Sequence, residues 1–104
     1  HKHLKQLNLA HNQLSIFYAN DYYSLENLDL SNNSLEEILC PSSSFSNLKT
    51  LNLRNNSKLK SFPERLISKS KKLSLIDIRN TNLDENFLDF LIEYCETHKI
   101  ELVR

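Results

Sequence analysis

Four segments of this chain carry the same spacing of leucines. LKQLNLAHNQL runs from Leu4 to Leu14, LENLDLSNNSL from Leu25 to Leu35, and LKTLNLRNNSKL from Leu48 to Leu59, with one extra residue before its last Leu. A weakened copy, LSLIDIRNTNL, runs from Leu73 to Leu83. The starts Leu4, Leu25, Leu48 and Leu73 lie 21, 23 and 25 residues apart. A unit this short cannot bury its own apolar side. It must stack on neighbours of the same kind, which makes the chain a solenoid. Within each unit a triplet such as Leu7-Asn8-Leu9 alternates apolar and polar, as a half-buried strand does. Leu4, Leu7, Leu9 and Leu14, with their counterparts, are expected to face the core. Asn12, Asn33 and Asn56 fall where the chain turns away from each strand. An Asn buried there can satisfy backbone groups that the turn leaves unpaired, so these three are read as a structural ladder. Thr81 stands at that place in the fourth unit.

The pattern L-x-x-L-x-L-x-x-N-x-L resembles the leucine-rich repeat family. The resemblance implies an α/β solenoid. Its parallel β-sheet lines the concave side, irregular or short helical connections lie on the convex side, and a helix caps the C-terminal end. Residues 1–83 would hold the four repeats and 84–104 the capping helix and tail. In the family an aromatic three residues before a repeat start packs between coils, and Tyr22 and Phe45 match that position while Ser70 replaces it. Function is less tightly implied, because the family binds many unrelated partners.

Between the repeats, Ile16 and Phe17 precede a turn-like ANDYYS stretch. Cys40 to Ser44, CPSSS, reads as a polar break on the outer side, where Pro41 opposes helix. The stretch PERLISK reads as a short helix with Pro63 at its first turn. Ser68 to Lys72, SKSKK, reads as a charged return loop. After Leu83 the apolar residues Phe87, Leu88, Leu91, Tyr94, Cys95 and His98 recur at helical spacing, which predicts a helix from about Glu85 to Thr97 with Asp84 as N-cap. An apolar tail, IELV, follows. The helix resembles that of the C-terminal flanking module of extracellular leucine-rich repeat proteins, although the usual cysteine pair before it is absent. The beginning of the chain has no such cap. Leu4, Leu7 and Leu9 would lie open there, so further repeats are expected to precede His1.

The side chains between the leucines form four columns on the concave face. They are Gln6, Asn27, Thr50 and Leu75; Asn8, Asp29, Asn52 and Asp77; Ala10, Ser31, Arg54 and Arg79; and His11, Asn32, Asn55 and Asn80. The expected contact region for a protein partner is Asn8, Asp29, Asn52, Asp77, Arg54 and Arg79. The two arginines serve as anchors, because a planar guanidinium pairs with carboxylates and stacks on rings. Asp and Arg pairing with each other across strands is the competing structural role.

Composition excludes several other classes. The 104 residues hold 13 Lys plus Arg and 13 Asp plus Glu, a balance that disfavours nucleic acid or an anionic membrane as main partner. No apolar run approaches the ~18 residues of a membrane span. Glycine is absent, which disfavours phosphate-cradling loops. His1 and His3 could hold a metal only weakly, and His11 and His98 lack partners at ligand spacing. No cofactor and no catalytic constellation is indicated, so the expected role is non-enzymatic protein recognition. An enzyme elsewhere in a longer parent chain is a further alternative. Cys95 is expected to be buried and Cys40, beside Pro41, more exposed. Two repeats of separation disfavour a disulfide between them. The sequons Asn32-Asn33-Ser34 and Asn55-Asn56-Ser57 make Asn32 and Asn55 candidate glycosylation sites. Together with the cap helix they favour an extracellular or cell-surface setting. A cytosolic scaffold is the alternative, suggested by the missing cysteine framework and the F-P-E-R-L stretch.

Overall fold

A computed structural model of the chain describes residues 3–20, 22–41 and 45–104. His1, Asp21 and most of the CPSSS break lie outside the described residues. Five strands form one parallel sheet: β1 (Gln6–Asn8), β3 (Asn27–Asp29), β5 (Thr50–Asn52), β6 (Leu75–Asp77) and β7 (Glu101–Val103), side by side in that order. Two more strands, β2 (Ile16–Tyr18) and β4 (Glu37–Leu39), pair in parallel on the opposite side. The helices are α1 (Arg65–Ser68) and α2 (Glu85–His98).

The main sheet keeps the register that the leucine spacing demands. Leu7 pairs with Leu28, Leu28 with Leu51, and Leu51 with Ile76. Because alternate side chains point to opposite faces, this one alignment stacks the central leucines inward and the polar columns outward. Ladder bonds extend past the strands, from Leu9 N to Asp29 O (2.8 Å), Leu30 N to Asn52 O (2.9 Å) and Leu53 N to Asp77 O (2.9 Å). The core is a continuous column of Leu25, Leu28, Leu30, Leu35, Leu48, Leu51, Leu53 and Leu59, each at most 1 % exposed.

The outer side is more regular than expected. In β2 and β4 Phe17 and Ile38 point inward and are buried, while Tyr18 and Leu39 point out. Phe62 is buried in the same fashion in the third coil, but Pro63 follows it. Proline cannot donate to a ladder, and the chain instead makes the short helix α1. Pro63 sits just before that helix, whose N-cap is Glu64. Alternation also explains a correction. The sequence reading left Cys40 exposed, yet it is buried at 5 %, because β4 runs Glu37 out, Ile38 in, Leu39 out and Cys40 in. Ala19, at the matching place in the first coil, is fully buried.

On the returning side Tyr22 stacks between Phe17 and Phe45, at ring-centroid distances of 6.0 and 6.1 Å. In the next coil Ser70 replaces the aromatic. It is buried, and its hydroxyl donates to the Phe45 carbonyl. A hydrogen bond thus ties these two coils where a ring ties the earlier ones.

At the C-terminal end α2 covers the last coil with Leu91 and Cys95, both buried, and Phe87 meets Phe62 edge-on at 4.8 Å. Asp84 occupies the N-cap position, but its carboxylate caps nothing. The helix start is held instead by Asp84 N donating to Lys60 O (2.9 Å). Phe90, Tyr94 and His98 run along the flank of α2 rather than under it, and His98, stacked on Tyr94 at 4.1 Å, is exposed. The helix ends at Lys99 in the left-handed region, φ 58°, with Ile100 N bonded to Cys95 O (2.8 Å). That reversal sends the tail back beside β6. The tail is therefore a fifth strand, not a loose apolar end: Leu102 pairs with Ile76, and Ile78 N donates to Val103 O (2.8 Å).

The two ends of the stack differ. Leu4, Leu7, Leu9 and Leu14 are only half-buried, whereas their counterparts in the second coil are at most 1 % exposed. Truncating Leu28 to Ala should therefore cost about 2–5 kcal/mol, and truncating Leu7 clearly less, since less contact is lost. Urea unfolding of the two variants checks the order. Equal losses would mean that Leu7 is packed as tightly as Leu28.

Candidate protein-binding face

The outward side chains of β1, β3, β5 and β6 line a shallow hollow of about 340 Å³, and the sheet is thus the concave side. Gln6, Asn27, Thr50 and Leu75 fall in one row and Asn8, Asp29, Asn52 and Asp77 in the next, as the leucine spacing predicts. β7 adds Glu101 and Val103 to these rows. Sequence reading missed both, although the apolar-polar alternation Ile100-Glu101-Leu102 was a signal for a strand.

The second row has a local role. Each member follows the middle residue of its strand and turns its side-chain oxygen back onto the backbone N–H two residues on. Asn8 Oδ1 accepts from Ala10 N (2.9 Å), Asp29 Oδ1 from Ser31 N (3.0 Å), Asn52 Oδ1 from Arg54 N (3.0 Å) and Asp77 Oδ1 from Arg79 N (3.0 Å). Short Asx side chains make this turn more strongly than Ser or Thr does, which suits a row made entirely of Asn and Asp. In the first row Thr50 Oγ1 donates to Asn27 Oδ1 (2.6 Å).

Asp77 goes further. Arg79 Nε lies 3.1 and 3.2 Å from its two oxygens and Nη2 lies 2.6 Å from Oδ2. The pair lies along one strand rather than across two. Asp77 is buried and both its oxygens are engaged, so it does not reach out to a partner's cation. Burial by itself would raise its carboxyl. The hydrogen bonds from the Arg79 side chain and N–H, and then the charges of Arg79 and Arg54, outweigh that and hold it below the ordinary 3.8.

Arg54 stands in a different state. Its N and O are fixed by Asn52 Oδ1 and by Asn32 N (2.8 Å). Its Nε is buried and meets no acceptor.

Two rows of asparagine border the face. The inner one is the ladder. Asn33 Nδ2 donates to Leu9 O, Leu30 O and Ser31 O (3.0, 3.0 and 3.2 Å), and its Oδ1 accepts from Leu14 N (3.1 Å). Asn56 repeats this with Leu30 O, Leu53 O and Leu35 N, and is fully buried. Asn12 bonds only its own coil and is exposed. Thr81 keeps a single bond, to Ile78 O (2.7 Å).

The outer row holds His11, Asn32, Asn55 and Asn80, all left-handed, with φ from 57° to 61°. Asn tolerates that region best after glycine, and this chain has no glycine. Here too the amides chain together, Asn55 Nδ2 to Asn32 Oδ1 (2.8 Å) and Asn80 Nδ2 to Asn55 Oδ1 (3.0 Å). Both Asn residues of each sequon thus have a structural task.

Burial raises the Cys95 thiol, so it is not an activated nucleophile. No disulfide joins Cys40 and Cys95. Among the described residues no group of three His, Cys, Asp or Glu could hold a metal ion, and no helix is long and apolar enough to cross a membrane.

The model of the family described as Leucine Rich Repeat matches residues 3–20, 24–46 and 47–68, over half of the chain. The chain belongs to the leucine-rich repeat family. No curated protein and no solved structure gives a match. The family match stops before the fourth repeat. There Ile76 and Ile78 stand for Leu, and Thr81 stands for the ladder Asn, yet β6 continues the leucine-rich repeat sheet without a break. Membership makes the chain a protein–protein interaction module, of a family that is generally non-enzymatic.

Replacing Asn56 by Ala should cost about 1–3 kcal/mol, because buried backbone groups lose their partners. The same change at exposed Asn12 should cost under ~0.5 kcal/mol. Denaturant midpoints of the two variants measure this, and a tolerant Asn56 would remove the ladder from the account. Asp77 sets an acid limit. Its folded pKa is depressed, so its contribution is present above 3.8 and is lost as pH falls through the folded value. The wild-type melting temperature should drop more steeply below pH ~4 than that of Asp77→Asn. Parallel acid profiles would show that the Asp77–Arg79 pair adds nothing to stability.

Proposed function

We propose that this chain is the recognition segment of a larger leucine-rich repeat protein that is secreted or displayed at the cell surface, as receptor and innate-immune members are. The observation that carries the recognition role is the open, polar face of the five-stranded sheet, whose columns are held in register and, among the described residues, covered by no other element. The contact region is Asn8, Asp29, Asn52, Arg54 and Arg79, with Asp77 acting through Arg79. The cap helix, the Tyr22 and Phe45 packing and the two sequons support the extracellular setting. Asn32 and Asn55 sit on the surface turns that border the face, where a glycan would crowd one rim and direct the partner to the remaining columns.

Leu4, Leu7, Leu9 and Leu14 are partly buried at the N-terminal end of the stack. A cytosolic scaffold is the second reading, favoured by the two buried cysteines with no disulfide between them.

Intact mass of the parent protein from its native source, before and after enzymatic removal of N-glycans, separates the two. A mass loss mapped to Asn32 or Asn55 is expected. An unchanged mass, with both thiols reactive after unfolding, would replace the cell-surface reading with the cytosolic one.

A further inference from the structure

The face takes a protein, and its chemistry narrows which kind. Resting on the concave-face reading, we infer that Arg54 is the docking point for a carboxylate side chain on an acidic segment of the partner. The two arginines of the third column are not equivalent. Arg79 is already neutralised by Asp77, at 2.6 Å, and both Asp77 oxygens are occupied by it. Arg54 has no carboxylate within ion-pair distance among the described residues, and its Nε is shielded from water with no acceptor.

In its row Arg54 lies between Ser31 and Arg79, and Asp29 and Asp77 flank Asn52 in the row before it. The charge of Arg54 is felt at Asp77, but among the described residues no carboxylate lies within ion-pair distance of its guanidinium. A carboxylate is the group that closes this account. Its two oxygens match the two Nη–H groups at the end of a guanidinium, the Nε being shielded inside the chain, and the bond is charge-assisted at both ends. The backbone of Arg54 is pinned by Asn52 Oδ1 on one side and by Asn32 N on the other. The side chain thus leaves from a fixed point, which limits the ordering cost of docking.

The test uses the full chain and phage-displayed random dodecapeptides, selected on wild type and on Arg54→Met. Methionine fills the space and makes no ion pair. Because the Arg54 side chain holds no hydrogen bond among the described residues, the variant should melt as wild type does. Arg54→Lys, which keeps the charge but loses the fork, serves as a second variant. The expected result is a set of peptides sharing an Asp or Glu. Its change to Asn or Gln should weaken binding to wild type by about tenfold or more, the size of a lost charge-assisted bond. The same change should matter little on Arg54→Met, and Arg54→Lys should fall between.

Selected peptides with no shared acid, or acidic peptides that bind Arg54→Met as tightly, overturn the inference. Thr50→Trp, which fills the hollow, tells which level has failed. If acid-free peptides are lost on that variant, the concave face binds but not through a carboxylate. If binding is indifferent to it, or no peptide is selected, the concave-face reading falls as well.

Discussion

The structure depends on one recurring contact, the buried carboxamide of Asn33 and Asn56. At the end of each strand the chain turns inside the core, and the carbonyls it strands there face no water. One Asn side chain supplies two donors and one acceptor within a short reach. It spends them on two coils at once: Asn56 holds Leu53 O of its own coil, and Leu30 O and Leu35 N of the coil before. The contact therefore fixes spacing and lateral register together. Once it is set, the leucines stack and the outward columns align. The hydrophobic core provides the driving force, but a column of leucines alone would tolerate a slip that the ladder forbids.

The insertion in the third repeat falls at this same place. Leu14 N and Leu35 N each donate to the ladder Asn of the following coil. Leu59 N has no such acceptor, because the next coil offers Thr81. It bonds Asn56 O instead (3.1 Å), while Leu59 O accepts from Asn82 N (3.1 Å) as Leu14 O does from Ser34 N (3.0 Å). The extra residue of the third repeat lies in that same turn, between Asn56 and Leu59.

The sheet and its columns were legible because their causes are local: a period of leucines, an alternation, an Asn at a fixed offset. What escaped was non-local or conformational. The fifth strand depends on Lys99 adopting a left-handed turn, a conformation that lysine does not advertise. The burial of Cys40 depends on β4 pairing with β2, which only the stacking of coils creates. The engagement of Asp77 was readable in part, since residues two apart on a strand share a face. Every Asx of that row has its N–H partner at that spacing, and only in Asp77-Ile78-Arg79 is the second residue a cation facing a buried carboxylate. The asparagines of the sequons also have a structural meaning. The first Asn of each pair is there for a left-handed turn in a chain without glycine, and the second for the ladder.

These constraints decide where specificity can reside. A face built of Asn and Asp looks rich in recognition groups, but most of their capacity is used internally, on the N–H two residues on or on the neighbouring amide. A partner meeting such a group gains little, since it must displace a bond already made. The group with unmet demand is the guanidinium of Arg54, next to an arginine that is already paired. The same economy that makes a three-residue strand stable enough to repeat leaves few residues able to choose a partner.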